Sequence, residues 1–378
     1  MNASFRIGRI FGIPVLIHFT FLLVIPLFAW IIASQIVTTA DLVREIYTVP
    51  IDMSLITSGY VPYVLGTIIS LGLFAGVLVH ELAHSLVARQ SGIKINSITL
   101  LIFGGVAAMD EGLPDPVVEL PMALIGPVTS LFVGVVCSGL VYLTGSIVRD
   151  PGIGGLLAFT FGYLGVLNII LFAFNLLPAF PMDGGRVLRA WLAKRMPLHR
   201  ATRIAADIGK GFAIVFGFIG ILAINPLLLI VAFFIYIGAS QETVAVKYSV
   251  LLQDVRVGSI MSSPVITVVP ALPVTKVIEM MYATKHLGFP VTDHDVLVGM
   301  VTVADVQKMS PIDRDAMQVR DVMNRNVIAV SPDTPVTDVL RIMSAKDIGR
   351  VPVVESGGRL VGIVTRTDIL KVVELKEM

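Results

Sequence analysis

The order of apolar and polar positions divides the chain in two. Up to about Lys247, long apolar runs alternate with short polar connections; beyond it, charge is dense and the apolar runs shrink to strand length. A membrane-crossing helix needs roughly 20 apolar residues. Six stretches meet or approach that length: Ile13–Ile36, Tyr63–Ala88, Leu120–Val141, Leu156–Leu177, Ile208–Ile224 and Leu227–Ala245. Asn225-Pro226 reads as a tight turn between the last two. The segment Ile93–Ala108 departs from this pattern. It is rich in β-branched residues and runs into Gly104-Gly105, which predicts strand or hairpin between the second and third spans. Such backbone is tolerated at membrane depth only where protein or a cavity covers it.

The 378 residues are 55% hydrophobic and 15% charged, too apolar for a soluble protein. A net charge of +1 gives no reason to expect nucleic acid as a partner. The single cysteine, Cys137, excludes a disulfide framework and a cysteine-rich metal site. The first apolar stretch is too long for a signal peptide and reads as a span. Basic residues are asymmetric: Arg6 and Arg9 precede the first span, Arg89 and Lys94 follow the second, and Arg186, Arg189, Lys194, Arg195, Arg200, Arg203 and Lys210 lie between the fourth and fifth. The opposite side holds Arg44 and Arg149. With six spans, all three basic segments share one side, so both termini are expected in the cytosol. The predicted fold is a polytopic α-helical membrane domain over 1–246, with about six spans and a short membrane-embedded β segment. A linker at 247–254 and an α/β cytosolic unit over 255–378 follow.

His80-Glu81-Leu82-Ala83-His84 is an H-E-x-x-H motif inside the second span. On a helix, residues four apart share a face, so both imidazoles reach one metal ion, and Glu81 is placed to polarise the water that the metal activates. Glu81 is also the only charged residue between Asp52 and Arg89. An ionisable side chain within a span marks function. Nine residues of helix between His80 and Arg89 put the site about 14 Å below the cytosolic interface. A catalytic zinc takes three protein ligands and keeps one position open. The best third candidate is Asp183, at the end of Asn175-Leu176-Leu177-Pro178-Ala179-Phe180-Pro181-Met182-Asp183-Gly184-Gly185, where two prolines and two glycines break the helix. Spacing alone leaves the alternative of an interfacial loop that merely starts the next segment.

H-E-x-x-H followed about a hundred residues later by N-x-x-P-x-x-P-x-D-G-G resembles the site-2 protease family of intramembrane zinc metalloproteases. Gly12-Ile13-Pro14, His18, Phe103-Gly104-Gly105 and Gly126-Pro127 also look like its pattern, so the resemblance covers most of residues 1–245. Ser130 departs from it, standing where many members carry Asn; it is not assigned to chemistry. His18 is read as structural. The resemblance implies that His80, His84 and Asp183 hold one zinc ion per chain and that Glu81 is the general base. Asn175 would then donate an amide hydrogen bond to the developing oxyanion; its alternative is packing, a part better suited to Asn168. The implied substrate is a transmembrane helix of another protein, cleaved in regulated intramembrane proteolysis after local unwinding. Ile95–Phe103 is the segment expected to offer it an open strand edge.

Beyond the linker the chain repeats itself. Met261-Ser262-Ser263-Pro264-Val265-Ile266-Thr267-Val268 matches the eight residues from Met323 to Val330, and Gly299-Met300-Val301-Thr302-Val303-Ala304-Asp305 matches Gly362 to Asp368. Two stacked copies of a strand–helix–strand–strand–helix unit follow, over about 255–317 and 318–378. The pattern closely resembles a tandem CBS domain pair. That resemblance implies an adenosine-containing ligand such as ATP, ADP or AMP, with Asp305 and Asp368 on the ribose hydroxyls and Thr302 and Thr365 near phosphate. T-x-x-D is equally a plain helix-capping pattern. CBS pairs also form homodimers and contact surfaces.

A CBS-regulated channel or transporter would spread ionisable residues over several spans; here they concentrate in the two catalytic motifs. An inactive scaffold would have lost at least one catalytic residue. The reading is therefore a multi-pass zinc metalloendopeptidase of a prokaryotic cell membrane, with the lipid bilayer and a transmembrane substrate as partners.

Overall fold

Asp-Pro pairs set two of the helix starts in the membrane unit. The computed structural model describes residues 4–101, 104–109, 115–148 and 150–377. They form two compact units, Met1–Val246 and Lys247–Met378. In the first, strands β1 (Ser4–Ile10) and β2 (Ile13–His18) precede helices α1 (Phe21–Ser34), α2 (Ile36–Tyr47), α3 (Met53–Ile56) and α4 (Val61–Gln90). Strands β3 (Ile95–Leu101) and β4 (Gly104–Met109) come next, then α5 (Pro116–Ile147), α6 (Pro151–Asn175), α7 (Asp183–Ala193), α8 (Leu198–Leu222) and α9 (Pro226–Leu252). Asp115 and Asp150 cap α5 and α6, their carboxylates accepting from the backbone N–H groups of Val117 and Ile153. The proline that follows each lacks an N–H the helix would leave unpaired. Among the described residues α4, α5, α6, α8 and α9 are long and apolar enough to cross a membrane, and α1 with α2 makes a sixth if that pair, bent by 72°, counts as one span. This is a multi-pass membrane protein.

The first span departs from expectation. Residues 13–18 are a strand, and helix begins only at Phe21. Phe11 and Gly12, with φ of 51° and 83°, turn β1 back onto β2 as a two-residue hairpin. β2 then pairs in parallel with β3, so the backbone groups of this apolar run find partners eighty residues away. The sheet order is β1-β2-β3-β4, with β3 antiparallel to β4. The hairpin expected between the second and third spans is present as β3 and β4. Of the segment expected to offer a strand edge, Ile98–Leu100 is paired on both sides, and the edge strands of the sheet are β1 and β4. Phe103 and Arg149 lie outside the described residues. The largest membrane-unit core packs Ile36, Val43 and Tyr47 of α2 with Ile69 of α4, Val141 of α5 and Phe159 of α6.

In the second unit, α10 (Val274–Thr284), β5 (Gly288–Asp293), β6 (Val296–Thr302) and α11 (Val303–Gln307) are followed by α12 (Pro311–Ala316) and α13 (Val319–Val322). Then α14 (Val336–Ala345), β7 (Arg350–Val354), β8 (Leu360–Thr365) and α15 (Arg366–Glu377) repeat the order. Val268 bridges Val291 in the first copy and Val330 bridges Val353 in the second. Other bridges are exchanged: Ser262 pairs with Ile363 and Asn324 with Met300, while Arg256 pairs with Pro335 and Gln318 with Pro273. The cores follow suit. Leu252, Val255 and Val257 lie in the core of the second copy, and Val319 in that of the first. Of the segment expected as a linker, 247–254, residues up to Leu252 are the last turns of α9.

Candidate metal centre

His80 and His84 lie one turn apart on α4, and Asp183 is the first residue of α7. All three are buried. The Nε2 atoms of the two histidines are 3.0 Å apart, and each is 3.1 Å from Asp183 Oδ2. Among the described residues this is the only group of three or more metal-ligating side chains.

The remaining ring nitrogens set the tautomers. His84 Nδ1 donates to the Met122 carbonyl at 2.6 Å. A carbonyl only accepts, so the proton sits on Nδ1 and the Nε2 lone pair faces the cluster. His80 Nδ1 stands 2.9 Å from Ser130 Oγ, a hydroxyl able to accept from it in the tautomer that turns the Nε2 lone pair to the cluster. Three lone-pair donors facing one another suit a shared cation. With bonds of about 2.0–2.2 Å, a tetrahedral zinc site has edges of about 3.3 Å, close to the separations found. The donor set therefore fits zinc.

Local sequence explains how Asp183 arrives there. Pro178 and Pro181 keep 177–182 out of helix. Gly184 and Gly185 let α7 start against that loop: a Cβ on Gly184 would lie 2.2 Å from the Leu177 carbonyl oxygen, and one on Gly185 2.5 Å from Ala179 C. The carboxylate also occupies the favourable N-terminal end of α7.

Glu119, Met122, Gly126 and Ser130 recur at helical spacing, so one face of α5 lines the site. A Cβ on Gly126 would sit 2.1 Å from His84 Nε2 and 2.8 Å from His80 Nε2. Glu81 is half-buried, with β4 against it: a Cβ on Gly105 would meet Glu81 Cγ at 2.3 Å. Asn175 ends α6, and its Nδ2 donates to the Leu171 carbonyl of its own helix at 3.0 Å. His18 is apart from the cluster and pairs with the Thr20 hydroxyl. Asn168 is buried, with Nδ2 on the Leu164 carbonyl and Oδ1 towards Gly76 of α4.

Sequence reasoning left Ser130 out, and its place beside His80 is the reason to bring it in. Arg189, counted in the sequence only among the basic residues between the fourth and fifth spans, is a buried partner here. It is 3% exposed, beside Glu119 at 1%, and reaches Glu242 at 3.2 Å. Ionisable groups thus gather outside the two motifs as well.

In the second unit, Asp305 Oδ2 accepts from Thr302 N and Oγ1 at 3.0 and 2.6 Å, and Asp368 Oδ2 from Thr365 N and Oγ1 at 2.9 and 2.7 Å. Both aspartates serve as the reciprocal partners of threonine in helix capping boxes here. A cavity of about 220 Å³ opens elsewhere in the unit, with Ser263, Thr267, Thr292 and Asp295 of the first copy facing Leu360 and Val361 of the second.

Residues 68–148 and 150–216 match the Peptidase family M50 profile, and 257–310 and 319–375 match the CBS domain. The zinc metalloprotease MJ0392 of Methanocaldococcus jannaschii is 36% identical over 381 residues, covering 100% of this chain and 99% of its own. Rip3 of Mycobacterium tuberculosis is 30% identical over 390 residues, 99% of this chain and 94% of its own. The solved site-2 protease of Methanocaldococcus jannaschii is 34% identical, covers 64% of this chain and 95% of its own, and superposes with a TM-score of 0.42.

Proposed function

Because this chain belongs to peptidase family M50 and is a zinc metalloprotease of the site-2 type with a tandem CBS pair, we propose that it hydrolyses peptide bonds in or near transmembrane segments of other membrane proteins. The observation that carries the reading is the convergence of His80, His84 and Asp183 within 3.1 Å, with Glu81 beside them on α4. Zinc, when held by these three residues, supplies a Lewis acid that activates water and polarises the scissile carbonyl. Glu81 takes the proton from that water and passes it to the leaving amine nitrogen. Asn175 donates to the oxyanion after its amide turns from the Leu171 carbonyl; an unchanged rate in Asn175→Ala would leave it a packing role only. The deciding experiment is zinc analysis of the purified protein beside cleavage of a model membrane-span substrate. Stoichiometric zinc with cleavage supports the reading, and cleavage that survives full chelation sinks it.

An unwound substrate strand adds to β4, the edge strand that lies on Glu81, with the sheet embedded at membrane depth. Neighbouring N–H groups along an antiparallel strand alternate between its two sides. Of Val106 and Ala107, one therefore faces β3 and the other the open edge. Proline at the open-edge position removes the donor a docking strand uses but leaves the sheet paired. Cleavage should fall there with zinc content unchanged; wild-type turnover would rule out strand addition.

The CBS pair binds an adenine nucleotide and couples it to proteolysis, with both termini cytosolic in a prokaryotic plasma membrane. Since Asp305 and Asp368 are engaged as caps, ribose recognition at either asks its carboxylate to leave its threonine. Titration calorimetry of the whole protein with ATP, ADP, AMP and S-adenosylmethionine should show binding that Asp305→Ala or Asp368→Ala weakens. Heatless titrations with all four would reduce the pair to a contact or dimerisation surface.

A further inference from the structure

Glu119 and Arg189 form a buried ion pair, joined by the partly exposed Glu242, that the reaction does not use. Arg189 Nε donates to both oxygens of the Glu119 carboxylate, at 3.0 and 3.2 Å, and Nη2 closes on Oε1. Nη1 reaches Glu242 Oε2 on α9 at 3.2 Å. The guanidinium also lies over the Phe180 ring, 4.8 Å from its centroid. Phe180 is fully buried and stands three residues before Asp183.

The place of this cluster matters more than its strength. Removing two charges from water costs several kcal/mol per ion, so a buried pair is a weak stabiliser; its two-point geometry is strict all the same. Glu119 stands on the α5 face that carries Met122, Gly126 and Ser130, the groups that hold and back the two imidazoles. Arg189 stands six residues after Asp183 on the same helix. The pair therefore joins the helix that fixes the histidines to the helix that brings the carboxylate. Through Phe180 the guanidinium also braces the loop that delivers Asp183.

We propose that the Glu119–Arg189 pair is a positioning clamp that holds the Asp183 carboxylate in register with His80 and His84, with Glu242 as an auxiliary partner. The inference rests on the reading of those three residues as the zinc ligands. Arg189→Lys keeps the charge and loses the fork; Glu119→Gln keeps the shape and loses the charge. Each should raise the zinc dissociation constant, measured by chelator competition on the full-length protein in detergent, by about 10–100-fold. Helix content should stay at the wild-type level, and the double variant should lose no more than the worse single one. Glu242→Gln, whose carboxylate is a quarter exposed, should have the smallest effect. Folded variants that bind zinc as tightly as wild type, with only a lower thermal midpoint, would show a structural ion pair and overturn the clamp. Glu119→Gln decides alone if Arg189→Lys fails to accumulate. Asp183→Asn, measured in parallel, separates the two readings. Zinc lost there but kept in the clamp variants removes the clamp alone, whereas zinc kept in Asp183→Asn removes the ligand assignment and the clamp with it.

Discussion

Glu81→Gln should keep its zinc and lose cleavage by a factor of about 10²–10⁴ or more, the scale on which a positioned acid–base group acts. The amide has nearly the same shape, so the packing of β4 on this side chain survives. It cannot take a proton from water or return one to the amine. Glu81 is absent from the trio of converging donor atoms, which is why the metal should remain. Zinc analysis and substrate cleavage on one preparation check both halves. Wild-type turnover would end the general-base assignment, and loss of zinc would show that Glu81 is a ligand.

Asp183→Ala should lose the metal and the activity together. It removes the only anionic donor, leaving two neutral imidazoles, and tight zinc sites of this kind need three protein ligands. His80→Ala and His84→Ala should behave alike. Dialysis against a moderate chelator followed by metal analysis reads the effect directly, and an Asp183→Ala protein that retains stoichiometric zinc would place the third ligand elsewhere.

The centre was legible in sequence to the extent that side chains define it. His80 and His84 follow from helical spacing, and Asp183 from a helix break at a plausible distance. What surrounds them was not legible. The partner of His84 Nδ1 is a backbone carbonyl at Met122, and no residue type announces a carbonyl. Ser130 is too common a residue to stand out until its hydroxyl is seen beside His80. Arg189 entered only the count of basic residues because its partner, Glu119, lies 70 residues upstream. The first apolar run misled for a related reason: a short buried strand and a stretch of buried helix share one composition. Only the pairing of β2 with β3 decides between them. In the second unit the T-x-x-D pattern serves capping and ribose recognition equally well, and the geometry shows the capping use.

The exchanged bridges of the second unit bear on how such a chain can change over time. Each copy's opening segment completes the other copy's core, with Leu252 to Val257 closing one and Val319 the other. A truncation between the copies would not leave one intact module and one broken one. It would strip both of a wall. The duplicated halves therefore stand as a pair, open to substitution in what lines the cleft between them yet not separable by a cut between them.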